Sequence, residues 1–139
     1  MKKQTGIWID TSKAIIVSLH DGKDHMKEIE SDIENSVYHE KEGNKGTFSG
    51  SHHSDSETKF TERRKNQMNN FLKDVINQVK DADELYIFGP AEVKTKLQKK
   101  ILDKYSAEAS KLKSVETAEQ MTPNQIIAKV KQFYNYNTK

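Results

Sequence analysis

Residues 58–97 read TKFTERRKNQMNNFLKDVINQVKDADELYIFGPAEVKTKL, and the periodicities of this run decide the fold. Met68, Phe71, Leu72, Val75, Ile76 and Val79 recur at i, i+3, i+4 spacing, which places them on one face of a helix starting near Thr58. The pattern stops at Lys80-Asp81-Ala82-Asp83. Leu85-Tyr86-Ile87-Phe88 follows as an apolar run of strand length, expected near the centre of a sheet. Gly89-Pro90 ends that strand and opens a second helix, where a proline's missing N–H costs nothing because first-turn N–H groups have no helical partner. Helix, buried strand and helix form one unit onto which the rest can pack.

Working outward toward the start, Gly6-Ile7-Trp8-Ile9-Asp10 reads as a strand, and residues 13–19, with Ala14-Ile15-Ile16-Val17, as its partner. Asp10-Thr11-Ser12 between them suits a tight turn, since short polar side chains bond their own backbone. His20-Asp21-Gly22-Lys23 is the next hairpin signal, because Asp-Gly tolerates positive φ. A third strand passes through Met26, Glu28 and Ile29, and Ser36-Val37-Tyr38-His39 is a further candidate for the sheet.

Residues 40–57, EKEGNKGTFSGSHHSDSE, hold three glycines and four serines, with Phe48 almost alone as an apolar residue. That composition offers too little burial to offset ordering, so a flexible loop is expected there. Its glycines Gly43, Gly46 and Gly50 match no phosphate-cradling pattern. His52 and His53, with Asp55 and His39 near in sequence, lack the rigid frame and supporting partners of a metal site, and no metal is expected.

Working toward the end, Val93, Leu97 and Ile101 point one face of the second helix inward. Lys94, Lys96, Lys99, Lys100 and Lys104 are expected on its outer surface. Leu112-Lys113-Ser114-Val115-Glu116 alternates as a last strand. Thr122-Pro123-Asn124-Gln125 then has the cap, first-position proline and Gln of a helix start, with Ile126, Ile127, Val130, Phe133 and Tyr134 as its inner face. The expected fold is a single α/β domain over residues 1–139, a mixed β-sheet in the order β-β-β-α-β-α-β-α.

The 139 residues are 33% hydrophobic and 32% charged, so a thin core under a charged surface is expected. Cysteine is absent, which excludes disulfides and thiolate metal sites. No apolar run is long enough to span a membrane, and Met1-Lys2-Lys3 leads into a strand without the features of a signal peptide. A cytoplasmic protein with no membrane partner is expected. Residues 1–57 carry 7 Lys/Arg against 11 Asp/Glu, whereas residues 58–139 carry 16 against 10. An anionic partner would therefore meet the second half, where Lys59, Arg63, Arg64 and Lys65 cluster. At 100° per residue the Arg63-Arg64-Lys65 run cannot all face the core, so at least two reach solvent.

The order of elements is shared with ribonuclease H-like folds, which raises a metal-dependent nuclease. Two-metal chemistry needs several converging carboxylates. Asp10 stands at the end of the first strand and Glu62 in the long helix, but Phe88-Gly89-Pro90 occupies the place of a third acid. Asp83 and Glu84 lie at the wrong end of that strand. Asp10 therefore reads as a turn residue.

Glu62-Arg63-Arg64-Lys65-Asn66, on a long helix after a glycine-containing polar loop, resembles the middle domain of archaeal and eukaryotic class I peptide-chain release factors and their relative Pelota. The likeness continues through Leu85-Tyr86-Ile87-Phe88-Gly89-Pro90-Ala91-Glu92-Val93-Lys94-Thr95-Lys96-Leu97, with its apolar strand, glycine and lysine-bearing helix. In order of elements it covers roughly residues 5–135; in specific motifs, only residues 58–97. It implies a ribonuclease H-like, translational-machinery-component-like fold. In release factors the loop before the helix carries Gly-Gly-Gln, which organises hydrolysis of peptidyl-tRNA. Here Gly43-Asn44-Lys45-Gly46-Thr47-Phe48-Ser49-Gly50-Ser51-His52-His53 has neither the glycine pair nor the glutamine. The resemblance thus implies a non-enzymatic stand-alone domain without a cofactor. It would contact ribosome or tRNA through Lys59, Arg63, Arg64 and Lys65, and its loop would order on binding. The alternative is a protein-binding scaffold with no nucleic-acid role.

Overall fold

The computed structural model describes residues 2–31 and 50–136, except the side chains of residues 50–58 and 60. Three strands come first: β1 (Gln4–Ile9), β2 (Lys13–His20) and β3 (Lys23–Glu30). A helix, α1 (Gly50–Gln78), leads to β4 (Glu84–Gly89), then α2 (Val93–Lys104), the single turn α3 (Ser106–Ala109), β5 (Leu112–Thr117) and α4 (Pro123–Tyr134). The strands form one sheet in the order β3-β2-β1-β4-β5. β1–β2 and β2–β3 are antiparallel, whereas β4 is parallel to both β1 and β5. The expected single α/β domain with a mixed sheet is what the chain adopts. β1 holds the central place and β4 lies beside it.

Strand alternation sorts the core into two faces. Ile7, Ile9, Ala14, Ile16, Leu85 and Ile87 meet Met68, Phe71, Leu72, Val75 and Ile76 of α1 and Val93, Leu97 and Ile101 of α2. On the other face Trp8, Ile15, Val17, Leu19, Tyr86 and Phe88 meet Ile126 and Val130 of α4. The helix α4 sits so close to β1 that a Cβ on Gly6 would run into Val130. Its start is the expected capping box: Thr122 Oγ1 accepts from Gln125 N–H at 3.2 Å, and Gln125 Oε1 accepts from Thr122 N–H at 2.9 Å. Phe133, assigned inward from its spacing, is 36% exposed; its ring lies flat on that of Tyr86, 3.9 Å between centroids.

Two hairpin and strand-end turns obey the expected chemistry, but Pro90 does not open the second helix, which starts three residues later at Val93 with Glu92 as its cap. Asp21 and Gly22 both adopt positive φ, at 57° and 75°, and join His20 to Lys23 in a two-residue hairpin. Gly89 has φ 154°, and any Cβ there would strike the Ile9 carbonyl oxygen, so only glycine lets β4 end beside β1. At the opposite edge, where α1 hands over to β4, Asp81 and Glu84 tie down the chain's start. Lys3 Nζ donates to Asp81 at 2.6 Å, and Gln4 Nε2 to Glu84 at 3.0 Å. The Lys3 hydrogen bond holds the Asp81 carboxyl below its ordinary pKa; the Gln4 hydrogen bond, helped by Lys2, does the same for Glu84.

Three expectations are corrected or fall elsewhere. The long helix begins at Gly50 rather than near Thr58, so Gly50, His52 and His53 stand in a helix and not in a loop. Serine, histidine and aspartate cost only about 0.7 kcal/mol or less each against alanine in a helix. A helix already nucleated by its packed residues 68–79 can therefore grow backward through them. Gly43, Gly46, His39 and the candidate strand Ser36-Val37-Tyr38-His39 lie outside the described residues, as does the first part of the expected loop. Lys94, expected on the outer surface, is 8% exposed and its Nζ donates to the Ala91 carbonyl. Its aliphatic stem shares the stripe of Leu97 and Ile101, and its ammonium bonds the turn before the helix.

Candidate nucleic-acid interface

The 29 residues of α1 run about 44 Å, while strands of six to eight residues span roughly 20–26 Å. The helix therefore outreaches the sheet. Among its described side chains Met68 is the first that is buried; Lys59, Thr61, Glu62, Arg63 and Lys65 are exposed, and Arg64 is half-buried. The expectation that at least two of Arg63, Arg64 and Lys65 reach solvent holds.

Thr61, Lys65, Met68 and Leu72 follow one another at i+4, i+3 and i+4, a single stripe on α1 with Arg64 and Asn69 beside it. This stripe is one wall of a groove of about 630 Å³. The other wall is α2, which contributes Lys96, Lys99, Lys100, Asp103 and Lys104. They lie next to the stripe of Val93, Leu97 and Ile101 that anchors α2 to the sheet. Among the described residues, six cations and one carboxylate thus line a groove whose floor carries Met68 and Leu72.

Among the described residues, no carboxylate lies within ion-pairing distance of Lys65, Lys96, Lys99, Lys100 or Lys104. Arg63 and Arg64 do have interactions of their own. Some lysines elsewhere do pair, Lys3 with Asp81, Lys131 with Asp24 and Lys111 with Glu108, whereas Lys13, Lys23 and Lys73 share the groove lysines' lack of a carboxylate partner among the described residues. Of the four basic residues singled out in the sequence, the structure brings Arg64 and Lys65 to the groove. Lys59 and Arg63, at i and i+4, share a neighbouring exposed stripe. The α2 lysines were visible as a basic surface, but nothing local in the sequence says that they face Arg64 and Lys65.

The acids weighed for two-metal chemistry do not converge among the described residues. Asp10 Oδ1 accepts from the backbone N–H groups of Ser12 at 2.8 Å and Lys13 at 2.9 Å, and Oδ2 from Gln120 at 3.2 Å. It is a turn residue. Glu62 lies exposed on α1, Glu84 stands at the opposite end of β4, and Gly89-Pro90 follows Phe88 as read from the sequence. Among the described residues no three His, Cys, Asp or Glu side chains converge as a metal site would require.

The arrangement of strands and helices has counterparts among solved structures. It is similar to Pelota. Archaeoglobus fulgidus Pelota superposes with a TM-score of 0.56 at 12% identity over 94% of this chain. An archaeal translation termination factor, aRF1, does so with a TM-score of 0.52 at 11% identity over 96% of this chain. The chain spans 31% of the length of the first and 39% of the second. At these identities the likeness is one of fold, and it bears out the fold that the resemblance in residues 58–97 implied. No family model and no curated protein matches the sequence.

Proposed function

We propose that the chain is a non-enzymatic, translation-associated domain, akin to the middle domain of release factors and Pelota, that contacts RNA of the ribosome or tRNA. Lys59, Arg63, Arg64 and Lys65 are the residues that would hold phosphates. The observation that carries this reading is the concentration of cations on the part of α1 that outreaches the sheet. No described side chain of that part is buried before Met68, and Lys59, Arg63 and Lys65 are exposed there, where an anionic surface can approach them. Support from the fold is that Pelota and aRF1, one of them a translation termination factor, each contain a part with this architecture. A cytoplasmic setting goes with this reading, and no helix among the described residues is long and apolar enough to cross a membrane.

The test is sedimentation with purified ribosomes. Phosphate contacts release counterions, so the protein should pellet at low salt and return to the supernatant as salt rises. Failure to pellet at low salt would remove the reading and leave the protein-binding scaffold in its place.

A further inference from the structure

We infer that the groove between α1 and α2 is a binding site for a single strand of RNA, held by its phosphates and read without regard to sequence. The inference rests on the RNA-contacting reading above and adds a second wall to it, Lys96, Lys99, Lys100 and Lys104. Lys96, Lys100 and Lys104 recur at i+4, so about 6 Å separates successive ammonium positions along α2. They form a ladder that a polyanion can follow. Lys65 faces this ladder from α1, and none of these lysines is neutralised within the described residues.

The shape selects the kind of nucleic acid. α1 and α2 lie side by side on one sheet face, with axes about 10 Å apart, and the furrow between two such packed helices is a narrow line that suits one extended strand. An A-form duplex would ride on the helix ridges and meet one wall at a time. Among the described residues the groove lining contains no aromatic side chain, so these residues give bases no stacking platform. Met68 and Leu72 offer a small apolar floor, and methionine adapts to whatever shape lies on it. Binding should therefore depend on charge far more than on base identity. An acidic protein segment would share the charge, and the polyglutamate arm of the test resolves it.

The probe is a fluorescent oligouridylate titrated with the protein across a salt series. The triple variant Lys96→Gln/Lys99→Gln/Lys104→Gln removes exposed cations that have no ion pair among the described residues, and its melting curve verifies the fold. Its affinity at low salt should fall at least tenfold. The slope of log affinity against log salt should become shallower by about 2, at roughly 0.7 per phosphate contact on a single strand. Asp103→Asn, which removes the one carboxylate among the described residues of the groove, should tighten binding. An oligoadenylate of equal length should bind within a few-fold of the oligouridylate. The inference is overturned if the folded triple variant binds as the parent does, if a hairpin duplex binds more tightly than the single strand, or if polyglutamate of equal charge competes equally. Ribosome sedimentation of the same proteins separates the two proposals. A parent that pellets with ribosomes but ignores the oligonucleotide loses the groove and keeps the translation reading; one that binds the oligonucleotide but never pellets does the reverse.

Discussion

Residues 68–78 of α1 bury Met68, Phe71, Leu72, Val75 and Ile76 against the sheet, whereas no described side chain of the same helix before Met68 is buried. One stretch is held by what it excludes from water, and the other by continuation of a helix that its neighbour has already nucleated. The contrast separates residues that explain the fold from residues that the fold leaves unexplained. The cations proposed for RNA contact fall in the second group.

The largest expected effect lies in the packed stretch. Ile76 is fully buried, so Ile76→Ala should cost about 2–5 kcal/mol, seen as a lower urea midpoint with little change in slope. A loss under 1 kcal/mol would mean that α1 is not the main cover of that sheet face. Hydrogen exchange sharpens the same contrast. Amides of residues 71–78 should open only with global unfolding, while those of residues 61–67 exchange through local fraying, orders of magnitude faster. Equal protection in both would show that the outreaching part is packed against something.

Acid should loosen the packed end first, because Asp81 and Glu84 anchor the turn after α1. Both carboxyls sit below their ordinary pKa in the folded protein. Their stabilising contribution is therefore complete above the unfolded-state values and is lost as pH falls through the lower folded ones. Glu84→Gln should make the stability profile flatter over that acidic window; an unchanged profile would deny Glu84 its part. The smallest effect belongs to the outreaching stretch, where Lys59→Gln/Lys65→Gln should leave stability within about 0.5 kcal/mol of the parent in urea unfolding. A larger loss would give these lysines a role in the fold.

Much of the packed region was legible in residue spacing. The stripe from Met68 to Val79, the run Leu85-Tyr86-Ile87-Phe88, the Asp21-Gly22 turn and the Thr122/Gln125 box each carry their own local signal. The first part of α1 carried none, since an exposed helix made of polar residues has no apolar period to read. Lys94 misled because its charge argues for solvent, while its spacing to Leu97 and Ile101 argues for the core. The turn α3 is too short for any periodicity. The groove was half legible: each basic stripe can be drawn on its own helix, but their meeting depends on how α1 and α2 lie side by side on the sheet.

The most direct test of the division within α1 is the salt concentration at which half of the protein leaves the ribosomal pellet. It should be measured for the parent, for Lys59→Gln/Lys65→Gln and for the conservative core variant Ile76→Val. The lysine variant should leave at clearly lower salt with the parent's melting temperature, and Ile76→Val should leave with the parent although it melts earlier. A lysine variant that pellets as the parent does, or a parent that never pellets, would contradict the assignment of RNA contact to this helix.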